Sequence, residues 1–144
     1  MQLNAFERQI ELSKELEMPL IVDAPGTLDH AFDVLSNIGF PARGTVLRAG
    51  SATEDELAPW IQADCYISFD PSGLDDPVSF CKRASSVPVD RVLAESGAPQ
   101  QHLSILKGTD PRCDQVVFVA DLLQSANIPS FALAENWLRV FAGA

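Results

Sequence analysis

Four short apolar runs, PLIVD (Pro19 to Asp23), GTVLRA (Gly44 to Ala49), CYISFD (Cys65 to Asp70) and RVLAES (Arg91 to Ser96), end near residues 23, 48, 70 and 96, at intervals of 22 to 26. Each run is too brief and too apolar for a surface helix, and the stretches between them carry apolar residues at helical spacing. Strand and helix alternating at that interval is the rhythm of a parallel sheet, because parallel neighbours need a crossover long enough to hold a helix. The chain is therefore expected to be a single α/β domain over residues 1–144, with four parallel strands and flanking helices.

The local signals agree with this order. Leu3, Phe6, Ile10 and Leu16 make one face of a first helix that stops at Met18-Pro19. Ala24-Pro25-Gly26 closes the first strand. Thr27 is the candidate cap of a second helix with the stripe Leu28, Ala31, Phe32, Leu35 and Ile38, and Gly39 is its stop. Thr53 and Glu56 have capping-box spacing, and Pro59 predicts that the helix they open is short or kinked. Pro77 suits the first turn of a helix running to Ser85. Two more helices are expected near Arg112 to Ser125 and Ser130 to Phe141, after a loop from Gly97 to Asp110 long enough for a lid or a binding loop.

Composition narrows the chemistry. Twenty acidic residues against ten basic ones give a net charge of −10, which repels phosphate backbones and anionic membranes. No apolar run approaches the roughly 20 residues of a membrane span, and the N-terminus lacks the layout of a signal peptide, so a cytoplasmic protein is expected. Cys65, Cys81 and Cys113 lie 16 and 32 positions apart without a CxxC, and His30 and His102 have no metal-spaced neighbours. The thiols read as buried side chains and the histidines as surface ones. GxSxG, Walker A, GxGxxG and HExxH patterns do not occur.

FERQIELSKELEMPLIVD, GTVLRAGS, CYISFDPSG, VPVDRVLAESGAP and ENWLRVF, in that order and spacing, resemble successive blocks of the TatD family of metal-dependent hydrolases. VPVDRVLAESGAP, similar to the family's "vPldrlLlETDaP", is the most specific. The resemblance runs from Asn4 to Phe141 but covers only the second half of the family's barrel. It implies half of a TIM-type (β/α)8 barrel, a fold of roughly 250 residues with its site at the C-terminal ends of the strands. The family's His-x-His pair and bridging glutamate belong to the other half.

Three further family positions fall within this chain. The histidine ending the "PviiH" strand falls on Asp23, the histidine of "vlHcF" on Arg48, and the aspartate of "ETD" on Gly97, while Glu95 keeps the motif's glutamate. Two-metal hydrolysis needs nitrogen and carboxylate ligands that fix cations and activate water. Asp23 and Glu95 are the remaining candidate magnesium ligands, whereas Arg48 and Gly97 cannot coordinate. An Asp23–Arg48 ion pair is the expected replacement for the metal, the alternative being two unrelated exposed residues at strand ends. Glu95 in the ordinary case accepts backbone amides. The resemblance thus implies a non-catalytic scaffold or regulatory module that holds no cofactor of its own. The alternatives are a split or divergent hydrolase, with magnesium or another divalent metal bound once a partner completes the site, and a binding protein with Arg48 as its anion contact. Open strand edges, and an inner face containing Ile21, Val46, Ile67 and Leu93, predict association with a second copy or with a chain supplying the first half of the barrel.

Overall fold

The computed structural model describes residues 2–71, 76–97 and 115–143. The Gly97–Asp110 loop beyond Gly97, His102 and Cys113 lie outside the described residues. In chain order the elements are α1 (Gln2–Glu15), β1 (Leu20–Val22), α2 (Leu28–Ile38), β2 (Thr45–Arg48), α3 (Glu54–Gln62), β3 (Tyr66–Phe69), α4 (Pro77–Ser85), β4 (Val92–Ala94), α5 (Gln115–Ser125) and α6 (Ser130–Trp137), which runs on as a π turn, Leu138–Ala142. The strands form one parallel sheet in the order β1-β2-β3-β4. This is the α/β architecture that the spacing of the apolar runs predicts.

The strands are two to three residues shorter than the apolar runs, because the outer residues of each run turn into loops. Thr53 and Glu56 form the expected capping box, with Glu56 N–H donating to Thr53 Oγ1 at 3.3 Å and Thr53 N–H donating to Glu56 Oε2 at 2.8 Å. With Pro59 inside it, α3 is nine residues long. Thr27 does not cap α2. Its backbone (φ −139°, ψ 28°) is not extended as a capping residue's is, and its hydroxyl donates backwards to Ala24 O at 3.3 Å.

Register decides which side chains share a face. Val46 lies opposite Ile21 and Tyr66, and Ile67 lies opposite Leu47 and Val92. Since side chains alternate along a strand, Ile21, Val46, Arg48, Tyr66, Ser68 and Leu93 share one face, while Leu20, Val22, Leu47, Ile67, Phe69 and Val92 share the other. The second set joins Ile10, Leu35, Leu57, Trp60 and Phe80 in the main core between sheet and helices. Ile67 therefore belongs to the helix-covered face, a correction to its placement beside Val46 and Leu93. A one-residue shift between neighbouring strands exchanges the faces, and apolarity alone does not reveal it.

The expected bare apolar inner face is also not observed. Val46, Tyr66 and Leu93 cluster with Val140, and Phe141 packs against them, so the end of the π turn covers the lower part of that face. Gly143 (φ 74°) then lies against the Arg43 guanidinium in a left-handed conformation that strains other side chains. Of the four inner apolar residues named from sequence, Ile21 is the exposed one, at 54%.

Candidate functional site

β2 ends on Arg48, and β1, β3 and β4 lead directly into Asp23, Asp70 and Glu95, so each strand has a charged residue at the C-terminal end of the sheet. Parallel strands place these ends side by side, so four residues far apart in sequence meet. Arg48 is the centre. Its Nη1 donates to Asp23 Oδ2 at 2.7 Å, its Nε donates to Glu95 Oε2 at 2.8 Å, and its Nη2 lies 3.5 Å from Asp70 Oδ2. The Asp23–Arg48 pair expected across adjacent strands is present. It is one arm of a larger cluster.

Burial is graded across the group. Asp23 is 54% exposed, Arg48 and Glu95 are about a quarter exposed, and Asp70 is 4% exposed. Burial disfavours the Arg48 charge, but attraction from Glu95, then Asp23, then Asp70 outweighs it, so the guanidinium is held above its ordinary value. The Glu95 carboxyl is shifted upward, chiefly by burial and further by Asp70, although the Ser68 hydroxyl and Arg48 pull it down. One guanidinium among three carboxylates does not fully offset the desolvation of Glu95. Glu95 Oε1 is buried without a hydrogen-bond partner, and Oε2 accepts from an arginine rather than from backbone amides.

Asp70 was not singled out by sequence, although a signal existed, since it ends the third apolar run as Asp23 and Arg48 end the first two. Arg83, 8% exposed, supports the same end. Its Nη1 donates to Gly50 O and Ala52 O at 3.1 and 2.8 Å, tying the turn after β2 to α4, and its charge attracts Asp70. Gly97 adopts φ 64°, a left-handed conformation that costs most side chains strain, and offers no ligand. His30 is exposed on α2 and lines a groove that also includes Asp23.

Divalent cations take carboxylate oxygens at about 2.0 to 2.6 Å and need several of them free. Here the oxygens that converge do so on a guanidinium, and among the described residues no three His, Cys, Asp or Glu side chains are arranged to hold a metal. Nor does Arg48 offer an anion site, because the three carboxylates around it repel a negative ligand.

Two solved structures share this fold. The TatD homolog YJJV from Escherichia coli K12 superposes with a TM-score of 0.83 at 22% identity, over 94% of this chain and 54% of that one. A hydrolase TatD family protein from Entamoeba histolytica gives 0.79 at 12% identity, over 99% of this chain and 57% of that one. The chain thus spans little more than half the length of the structures it matches. The family described as TatD related DNase matches residues 1–134, and the chain belongs to that family.

Proposed function

We propose that this chain is a TatD-fold module without hydrolytic chemistry of its own, serving as a scaffold or regulatory subunit in the cytoplasm. The seating of Arg48 among Asp23, Asp70 and Glu95 carries the reading. Metal-assisted hydrolysis requires cations that polarise a phosphoryl oxygen and generate hydroxide from water. A guanidinium supplies charge but no open coordination position and no acidified water, so a cluster built around one can hold the strand ends together without activating a nucleophile. The free thiols of Cys65 and Cys81 fit a reducing compartment. Calorimetric titration of the purified chain with magnesium, manganese and zinc, paired with hydrolysis of DNA and of a phosphodiester, tests the proposal. It predicts neither stoichiometric binding nor turnover. Turnover that Asp23→Ala abolishes would overturn it.

A second reading, a subunit of a split hydrolase, is favoured by the chain's span of about half the matched structures. On that reading turnover appears only after a complementary half is added, and then disappears with Glu95→Ala.

A further inference from the structure

The last helix and its π turn have one side committed to the protein and one side bare. Ala132, Asn136 and Val140 are buried: Asn136 Nδ2 donates to Val92 O of β4 at 2.8 Å, and Val140 packs on Val46, Tyr66 and Leu93. Phe131, Ala134, Leu138 and Ala142 recur at intervals of three and four residues and occupy the opposite side. All four are exposed, Phe131 at 67% and Leu138 at 45%. Because this stripe points away from the sheet, a strand added at either edge of the sheet leaves it uncovered.

The stripe is complementary to its own reverse. Along the chain it runs large, small, large, small, so two copies laid antiparallel set Phe131 of one against Ala142 of the other and Leu138 of one against Ala134 of the other. Large side chains thereby meet small ones at every step, which is how facing helices interdigitate. Charge follows the same rule. Glu135 and Arg139 are exposed along one flank of the stripe, and in a two-fold antiparallel pair each flank meets its own copy. Glu135 of one chain then lies opposite Arg139 of the other, twice. The apolar pairs and the charged pair share a midpoint at residues 136–137, so a single register satisfies all of them.

Both charges are available for such a contact. Among the described residues Glu135 has no ion pair, and Arg139 uses Nη1 on Asp90 O and Asn136 Oδ1 at 3.3 and 3.2 Å while Nε and Nη2 have no partner. A helix from an unrelated protein has no cause to match this reversed pattern. We propose that the outer face of α6 is a two-fold interface with a second copy of this chain, formed by an antiparallel pair of these helices. The inference is independent of what the Arg48 cluster does.

One helix pair is a small interface, below about 1,200 Å² in total, so a reversible dimer dissociating at roughly 10 to 100 µM is expected. The net charge of −10 repels two copies at low salt. Sedimentation equilibrium of the full chain is therefore run near physiological ionic strength, where charges more than about 8 Å apart are screened, up to about 1 mM protein. Leu138→Glu should weaken the dimer by at least about 10-fold while leaving the circular dichroism melt nearly unchanged. Glu135→Arg and Arg139→Glu should each weaken it by about 10-fold, and mixing the two variants should restore association, because each then meets its opposite charge. An effect confined to the stability of one chain cannot produce that rescue. Should Arg139→Glu fold poorly, Ala134→Arg is mixed with Ala134→Glu in its place, since the two positions 134 lie close to the same midpoint. A monomer at every concentration, a dimer indifferent to Leu138→Glu, or mixtures no more associated than the single variants would each overturn the proposal.

Discussion

The two ends of the sheet are closed by different physics. Where the strands finish, Asp23, Asp70 and Glu95 surround Arg48, and the closure is electrostatic and partly open to water. Where they begin, Val140 and Phe141 close over Val46, Tyr66 and Leu93, and Arg91 stacks 5.1 Å from the centre of the Tyr66 ring while bonding both oxygens of Asp64 at 2.7 and 2.8 Å. A charged closure can be rebuilt around a different cation at modest cost in stability. An apolar closure cannot be altered without leaving a cavity or burying a charge. The division matches the division of labour in strand-and-helix barrels, where chemistry gathers at strand C-termini and stability resides at the opposite face.

The largest expected effect lies at the apolar end. Val140→Asp places an unpaired carboxylate in a fully buried position and should cost about 4 kcal/mol or more, read as a collapse of the urea midpoint. Asn136→Ala should cost about 2 to 3 kcal/mol, since it strips the shared donor from Val89 O and Val92 O, each at 2.8 Å. At the charged end Arg48→Met should cost less, about 2 kcal/mol, because water can reach part of the cluster. Equal losses at the two ends would erase the contrast. The same variant should move the Glu95 titration, followed by carboxyl NMR, further upward, as Arg48 is one of the groups holding it down.

The two ends should also answer pH in opposite senses. The folded state raises Glu95, so its contribution to stability is fully present below the ordinary glutamate value and lost as pH rises through the folded value. Asp64, lowered by its hydrogen bonds to Arg91, contributes above the ordinary aspartate value, and that contribution is lost as pH falls through its folded value. Glu95→Gln should flatten the first dependence and Asp64→Asn the second, in urea melts across the acid range. The smallest effect is a gain. Thr45 Oγ1 is buried without a partner, so Thr45→Val should raise stability by about 1 kcal/mol.

Much of this architecture was legible in the sequence, because parallel strands joined by helices leave a strong period in apolar residues. Element order, the Thr53–Glu56 box and the Asp23–Arg48 contact all follow from local chemistry or from adjacency along the chain. What escaped depends on register and on long-range packing. Ile67 changes face because the alternation of each strand is set by pairing, which apolarity does not encode. Asp70 joins the cluster through β3, and Asn136 reaches β4 from α6, over 40 residues away. A polar residue within an apolar helical stripe was the available signal for Asn136. Thr27 has the right residue type for a cap and the wrong backbone.

A cation supplied by the polypeptide differs in one practical respect from a cation drawn from solution. Arg48 is installed at translation, in a fixed ratio of one per chain, and no chelator, competing ion or swing in metal supply can withdraw it. The geometry at the strand ends is thereby made independent of ionic surroundings, and folding there needs no loading step. Whatever the chain does with those strand ends, its readiness is inherited with the gene and is not acquired from the medium.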